Sequence, residues 1–600
     1  MSKLPKGETF MEQQPAKKAH GPKSKSGKLV LCIVLTILIG LVYFYVALPP
    51  INPQSGDFYV FIAVLCIVFV VTSILTSGMD LIRDGSGPKD YLRFIKSRCL
   101  PAGILLLVLI AIGIVGTLIS LPIFRAGAYR DLLTVEDGNF ATDIAEISFN
   151  EIPTLDESSA EYLSDRQMGT LSDMVSQFEY SFDSTQINYQ GRPVRVAPIA
   201  YADLFKWFTN RGTGLPAYVM VDMVTQEATV VRLEEGMKYS FSEPLNRNIE
   251  RHLRFNYPTF IFGTPQFEID EEGHPYWIAP RIVKTIGLFG GDDIQGAVLV
   301  DAITGECTYY ELADIPNWVD NVFTPELIME QYDYHGTLVN GFINSVFGQR
   351  GVTITTDGSN YIAINDDVYM YTGVTSANAD QSNLGFLLSN QRTKETKFYS
   401  APGATEAAAK ASAEGVVQDL KYTATFPLLL NIAGEPTYFI PLKDATNLVK
   451  SYAMVNVAQY QVVATGSTVS ACEQEYIKLL NNKGITTPED TPRTEVSGVI
   501  SDIRSAVMEG NSYYFIQLEG DPTYYAISAA QNPLAVILNV GDQVTIQHTP
   551  AIDGETSSIL DGSTITLDGA AQPAPSPIVT PAPQEETDTG EASPSPAPAE

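Results

Sequence analysis

The sequence predicts three N-terminal transmembrane helices, then α+β repeats outside the cytoplasm, a small β-barrel and a disordered tail. Three observations predict it. Long apolar stretches fill the first 125 of 600 residues, a short turn motif recurs about every 80 residues, and the last 30 turn to Pro, Ala, Ser and acidic residues. The boundaries that follow are a basic tail (1–28), a three-helix anchor (29–124), a connecting region (125–200), tandem helix and β-hairpin repeats (201–484), a linker (485–493), a barrel (494–568) and the tail (569–600).

The apolar stretches run Leu29 to Leu48, Phe58 to Leu75 and Ala102 to Phe124, each near the roughly 20 residues a helix needs to cross a bilayer core. Ahead of the first lie Lys3, Lys6, Lys17, Lys18, Lys23, Lys25 and Lys28, and between the second and third lie Arg83, Lys89, Arg93, Lys96 and Arg98. The loop between the first two has no basic residue, and only Arg125 and Arg130 closely follow the third. Twelve against two puts the amino terminus in the cytoplasm and the large carboxy-terminal region outside. The first stretch ends in Pro49-Pro50 without a small-x-small site, and two more spans follow, which argues against a cleaved signal peptide.

Beyond residue 98 the chain carries 26 basic and 63 acidic side chains, a surplus of 37 negative charges that repels nucleic acid and anionic lipid. Only Cys307 and Cys472 lie in the outer region, so a disulfide framework is excluded; one Cys307 to Cys472 bridge or two lone buried thiols remain. The outer histidines, His252, His274, His335 and His548, form no His-x-x-x-His spacing, and no Cys-x-x-Cys exists. A zinc peptidase is therefore not expected, nor any metal or other cofactor.

The repeat is clearest where VMVDMVTQEATVVRL, from Val219, matches VLVDAITGECTYYEL, from Val298, at seven of fifteen positions; LLSNQRTKETKFY, from Leu387, is a third copy. All keep Asp or Asn, then Thr three on, then Glu five on: Asp222, Thr225, Glu227; Asp301, Thr304, Glu306; Asn390, Thr393, Glu395. Strand formers lead to an Asp or Asn that caps a turn by accepting backbone amides, and a second strand follows, so each copy reads as a β-hairpin. A calcium or substrate role for these carboxylates is the competing reading. Helices are expected upstream, at Tyr201 to Asn210, Leu245 to Arg254, Leu338 to Phe347 and Thr405 to Leu420. Gly273 to Ile278 parallels Gly434 to Ile440 as a further strand. One such unit has a thin core, so neighbouring units should pack together.

At these residues the chain resembles the PepSY family of small α+β domains, whose hairpin carries a signature like VDAITGE at Val300 to Glu306. The resemblance covers about Tyr201 to Gly466, and the third copy departs from it with Asn390 for Asp and Lys394 for Gly. It implies domains that bind or restrain peptidases rather than catalyse. The whole layout is similar to uncharacterised membrane proteins of Gram-positive bacteria, which implies an envelope location.

Past an amphipathic helix near Ser470 to Leu480, the strand-like runs SGVISDIRSAV, SYYFIQL, TYYAIS, AVILNV and GDQVTI look like an OB-type barrel. Tyr513, Tyr514, Phe515, Tyr524 and Tyr525 could stack on bases, but Arg504 is the only basic residue between Gly498 and Gln547, so nucleic acid is not an expected partner. The tail, with eight Pro from Ala570 to Glu600, cannot bury enough apolar surface to fold.

One run invites a catalytic reading. YTGVTSANADQSNLGF sets Tyr371, Thr372, Thr375, Ser376, Asp380 and Ser382 beside Gly373 and Gly385, with His335 the nearest His in sequence. No G-x-S-x-G or S-x-x-K pattern accompanies it, so no catalytic, cofactor-binding or metal residue is assigned. Two function classes remain: a non-enzymatic envelope scaffold or regulator that binds a protein, peptide or wall polymer, and an envelope hydrolase with its site in the 371–386 polar loop.

Overall fold

The computed structural model describes residues 25–79, 87–144, 152–364, 367–377, 382–485, 494–508, 511–529, 532–548 and 559–567. The expected linker, apart from Ile485, and the expected tail lie outside the described residues. The chain divides into two compact units, Met1–Pro488 and Glu489–Glu600.

Three helices are long and apolar enough to cross a membrane: α1 (Gly27–Ala47), α2 (Gly56–Thr76) and α3 (Pro88–Ser120). Most of their apolar side chains are uncovered, Val42 and Leu107 among them, as lipid-facing positions require. The third stops at Ser120 rather than Phe124. Pro122 forces the preceding Leu121 out of the helical region (ψ 141°), and a separate helix, α4 (Pro122–Arg130), begins there. The C-terminal end of α1, the start of α2 and the end of α3 all meet the region that follows: Ile51 N donates to Pro258 O (2.7 Å), Gln54 Nε2 to Lys284 O (2.9 Å), and Leu288 N to Ser120 Oγ (2.9 Å).

That region holds four five-strand units, each led by a helix. After β1 (Val135–Gly138), unit I comprises α5 (Glu157–Gly169), β2 (Phe178–Tyr180), β3 (Thr185–Tyr189), β4 (Arg192–Tyr201), α6 (Leu204–Asn210), β5 (Leu215–Asp222) and β6 (Ala228–Met237). Unit II is α7 (Ile249–Asn256), β7 (Ile261–Phe262), β8 (Gln266–Ile269), β9 (Pro275–Ile286), β10 (Gly290–Asp301) and β11 (Cys307–Glu311). Unit III is α8 (Pro325–Thr337), the short α9 (Gly341–Ile343), which runs on as a π-turn (Asn344–Gly348), and β12 (Thr353–Thr355), β13 (Asn360–Ile364), β14 (Asp367–Ser376), β15 (Ser382–Asn390) and β16 (Thr396–Ala404). Unit IV is α10 (Glu406–Val416), β17 (Thr423–Ala424), β18 (Leu428–Ile432), β19 (Glu435–Lys443), β20 (Val449–Asn456) and β21 (Val463–Gly466), closed by α11 (Val469–Asn482). In every unit two short strands pair with the same long third strand, and the last two continue the antiparallel meander. β1 adds a parallel sixth strand beside β16.

The repetition extends to single hydrogen bonds. The residue after each turn Asp or Asn donates its amide back to the third strand: Met223 to Pro193, Ala302 to Pro275, Gln391 to Val368 and Val457 to Pro436. The carbonyls of the same four residues accept from the segment that enters the unit: from Thr154, Lys238, Val322 and Ala404. Each unit helix is N-capped by a side-chain oxygen, of Asp156, Asn248, Thr324 and Thr405 respectively.

Two sequence expectations change here. The stretch 125–200 is not a connecting region, because unit I begins within it. The unit helices of I and III are also α5 and α8 rather than the expected Tyr201 to Asn210 and Leu338 to Phe347. The sequence ESSAEYLSDRQMG of α5 buries little beyond Ala160 and Met168, whereas the apolar residues that drew attention to the other two segments, Leu204, Phe205, Phe208, Ile343 and Phe347, stay exposed. A fourth copy of the turn, at Asn456, escaped notice because it is one residue longer: Asn456 N bonds Val462 O, where Asp301 N bonds Glu306 O.

Consecutive units share cores, as thin single units require. One core joins units I and II, a second joins II and III, a third III and IV. Strand alternation makes this possible: Trp277 and Ala279 face the first core and Ile278 the second, while Met370 faces the second and Tyr371 the third. Unit IV also touches unit I, through Lys443 Nζ on Asp156 (2.6 Å) and Gln226 Nε2 on the Tyr452 hydroxyl (2.9 Å).

The second compact unit contains a closed five-stranded barrel of β22 (Thr494–Met508), β23 (Asn511–Leu518), β24 (Tyr524–Ser528), β25 (Gln543–His548) and β26 (Ile559–Leu567), ordered β22-β23-β24-β26-β25. β24 and β26 pair in parallel, the other neighbours antiparallel. The run AVILNV is not a strand. Pro533–Ile537 is a 3-10 turn, with Ala535 and Leu538 set into the barrel core, and the fifth strand comes from residues 559–567.

Candidate binding cavity between the units

The turn carboxylates are occupied by backbone. Asp222 Oδ1 accepts from Val224 N and Thr225 N, Asp301 Oδ1 from Ile303 N and Thr304 N, and Asn390 Oδ1 from Arg392 N and Thr393 N, all at 2.8 to 2.9 Å. The residue four on takes a left-handed conformation in each: Gln226 (φ 63°), Gly305 (φ 80°) and Lys394 (φ 66°), so glycine is not obligatory there. Among the described residues no group of three or more His, Cys, Asp or Glu is placed to hold a metal.

The run from Tyr371 is mostly strand, not loop. The Tyr371 hydroxyl donates to Pro427 O, Thr372 Oγ1 to Gly358 O (2.8 Å) and Thr375 Oγ1 to Ser382 O (2.9 Å); Asp380 lies outside the described residues. His335 Nδ1 faces the Arg130 carbonyl at 3.1 Å. Behind the strand is a feature that sequence reading missed. Glu406, in the first turn of α10, is buried, and both its carboxylate oxygens, Asn383 Oδ1 and Thr356 Oγ1 are buried without hydrogen-bond partners. Burial pushes this carboxyl up. All three side chains close on Gly373, where a Cβ would press on Glu406 Oε1, Asn383 Nδ2 and Thr356 Oγ1.

Cys307 and Cys472 are unbridged and pack against different cores; burial pushes their thiols up to about 11 and about 12. Neither is a poised nucleophile.

One opening lies where units I, III and IV meet. It measures about 510 Å³ and is lined by Asp156, Glu157 and Glu161 of unit I's helix end, Gln186 of β3, Arg195 of β4, Tyr361 of β13 and Phe426, among others. A second cavity of about 230 Å³, lined by Thr185, Gln266, Thr324 and Gln391, shares Glu157, Gln186, Arg195 and Tyr361 with the first. Arg195 sits between Val194 and Val196, which enter the core, so strand alternation turns it to the opposite face. It is buried, at 6% exposure. Its Nη1 donates to Glu157 Oε1 (3.0 Å), Ser184 O (3.2 Å) and Ser184 Oγ (2.9 Å), while Nε has no partner. Thr425 Oγ1 on the first cavity and Gln391 Oε1 on the second are likewise buried and unpartnered.

The electrostatics are mixed. Burial pushes the Asp156 carboxyl up, but the Lys443 ammonium and the Ser159 bonds outweigh it and hold the group below its ordinary value. Burial, then the neighbouring Glu157, raises Glu161. Burial pushes the Tyr361 hydroxyl up to about 12. One guanidinium thus stands among four carboxylates, those of Asp156, Glu157, Glu161 and Glu326, and no His, Cys or Lys lines either cavity among the described residues. Such a lining can hold a carboxylate at Arg195 and an ammonium at the glutamates.

A second buried network joins units I, II and the segment leading into III. Glu268 Oε1 accepts from Asn321 N (2.8 Å) and Asn321 Nδ2 (3.0 Å), and Oε2 from Asp320 N (2.9 Å); Asp320 Oδ2 accepts from Asn188 N (2.6 Å), leaving Oδ1 buried and unpartnered. Burial raises Glu268 to about 7, and burial together with the Glu268 charge raises Asp320 well above the carboxylate range.

No family's sequence pattern matches the chain, and no curated protein does. Among solved structures, a monoclinic crystal form of an ACO/RPE65 chimera aligns over 65% of this chain and 64% of that chain, under two thirds of its length, at 8% identity and a TM-score of 0.12. A likeness of that size carries no argument about fold or function.

Proposed function

We propose that this chain is a non-enzymatic, membrane-anchored binding protein of a bacterial envelope, whose tandem units form a scaffold around a ligand held in the Arg195 cavity. The ligand is a peptide, free or as the peptide part of a wall polymer. The observation that carries the reading is Arg195, a buried guanidinium with a spare donor at a cavity that three units build together. A short peptide with free termini supplies both counter-charges: its C-terminal carboxylate for the guanidinium and its N-terminal ammonium for Glu161. The twelve-to-two distribution of basic residues supports an outer location for the region after α3. The helix-led sheets with their Asp turn support a PepSY-like assignment, and the parallel pairing of β24 with β26 in a closed barrel supports an OB-like one.

Thermal melting of the full chain in phosphatidylcholine nanodiscs tests this. A tripeptide with free termini at about 100 times its Kd should stabilise the fold by about 2.7 kcal/mol, its amidated form should do much less, and Arg195→Gln should abolish the difference. Equal shifts for free and amidated peptide would remove the guanidinium from the reading, and cleavage of the peptide by the unmutated chain would promote the hydrolase. Protease added to intact spheroplasts should remove the region after α3 and spare the spans; protection of that region would overturn the orientation.

A further inference from the structure

Two clusters of large apolar side chains stand in the open beside the span ends. The first is on α6, where Leu204, Phe205 (82% exposed) and Phe208 are exposed, as are Leu245 and Phe255 around α7. It is tied to the end of α1 by a short chain of contacts. The Phe255 ring packs on Phe44 (5.7 Å) and Tyr45 (6.2 Å), the Tyr45 hydroxyl donates to Asn246 Oδ1 (3.1 Å), and the adjacent Arg247 donates to the Arg211 carbonyl (2.7 Å) just past α6. The second is on residues 341–348, where Ile343 (76% exposed), Val346 and Phe347 (85% exposed) follow helical i, i+3, i+4 spacing along one face. Phe342 packs the segment onto the core that contains Tyr129 of α4, the helix directly after α3, and Ile123 and Phe124 of α4 are themselves exposed.

Both clusters are therefore held next to the points where the chain leaves the spans. Exposed apolar patches of this kind are disfavoured in water and mark an interaction surface. At the level of the span ends, the neighbouring medium is the acyl boundary of the bilayer. Basic residues flank both, Lys206 and Arg211 around the first and Arg350 after the second, as interfacial helices require. A surplus of 37 negative charges beyond residue 98 gives no general attraction to anionic lipid, so apolar burial must drive the contact.

We propose that α6 and the 341–348 segment are interfacial elements that insert their apolar faces into the leaflet at which α1 and α3 end, seating units I to III on the bilayer at two points besides the spans. The partner is the acyl region of phospholipid, and the contact should resist salt. This proposal is independent of what the Arg195 cavity binds.

Phe205→Trp and Phe347→Trp, made separately in the full chain and reconstituted in phosphatidylcholine nanodiscs, test it. Both side chains are open, so each variant should melt with the parent. With acyl chains brominated near the headgroup, the added emission should fall about twofold or more relative to unbrominated lipid, stay little affected by iodide, and keep that quenching in high salt. Emission that iodide quenches and bromolipid does not would overturn the proposal at that cluster. Emission shielded from both, with cross-linked dimers forming in the same discs, would overturn it too, since a second copy would then be the occupant.

Discussion

Asp301 and Asp320 lie close in sequence and meet opposite fates. Asp301 ends β10, and its carboxylate accepts two amides from the next three residues. Although burial raises its pKa, those bonds, with Thr304 and His274 beside it, bring it below the ordinary carboxylate value. Asp320 lies in the segment between units II and III, where the amide of Asn188, which bonds its Oδ2, comes from another unit and Glu268 is its neighbour. A carboxylate whose donors come from its own turn is satisfied wherever the turn forms. One that depends on distant units is satisfied only when the units assemble, and its protonation state reports that assembly.

The junction should therefore give the largest effects. Glu268→Ala strands the amides of Asp320 and Asn321 and the Asn321 side chain in a buried site, and should destabilise the region by about 3–5 kcal/mol in chemical denaturation. A loss below 1 kcal/mol would mean that water replaces the carboxylate and that the junction is not closed. The same pair sets a pH dependence. Both carboxyls are raised in the fold, so their contribution is full below the unfolded carboxylate pKa of about 4 and is lost as pH rises through about 7 at Glu268. The melting temperature should accordingly be higher at pH 5.5 than at pH 8. Asp320→Asn, which keeps an acceptor for Asn188 N and cannot ionise, should flatten that difference by raising the melting temperature at pH 8. An unchanged profile would place the pH dependence elsewhere.

What sequence reading reached follows the same division. The spans, the turn motif with its capping oxygens, and α11 are encoded within a few residues and were legible from them. Arg195 in RPVRVAPIAY and Glu268 in QFEID read as ordinary outward-facing positions of alternating strands, because nothing local says that another unit covers that face. The α5 helix was missed for a related reason: the sharing of cores between units lets a polar helix with few apolar contacts complete a unit, whereas α8, also missed, brings Leu327, Ile328, Met329 and Tyr332 to the core between units II and III. The segments Leu204 to Phe208 and Ile343 to Phe347 are helical, as their spacing leads one to expect, but their apolar faces stay exposed and they do not lead a unit. The fourth turn was hidden by one inserted residue before Val462, although its backbone bonds repeat those of the other three.

Gly373 lies between these extremes, since it belongs to a strand that forms locally but backs onto a buried polar cluster. Gly373→Ala should destabilise by about 1–3 kcal/mol, because the new methyl meets Glu406, Asn383 and Thr356 in a space already closed. Pairing it with Glu406→Ala, which vacates that space, should recover part of the loss and so yield a coupling energy. Strict additivity of the two would show that they do not share one void.

The smallest effects should come from the turns. Asp301→Ala removes the acceptor for two amides and should lower stability by about 0.5–2 kcal/mol, with calcium making no difference to either protein. Asp301→Asn should cost about 0.5 kcal/mol or less, because Asn390 already makes the same two bonds at 2.9 Å in unit III without a charge. The two variants also separate under acid. Asp301 has a depressed pKa, so its contribution is present above the unfolded value of about 4 and is lost as pH falls through its lower folded value. Asparagine has nothing to titrate, so Asp301→Asn should match the parent at pH 7 and lose less stability than it below pH of about 4. If the Asn variant instead fell as far as the Ala variant at pH 7, the turn would depend on charge, through His274 at 3.2 Å, and the contrast between the turns and the junction would rest on something other than where the donors come from.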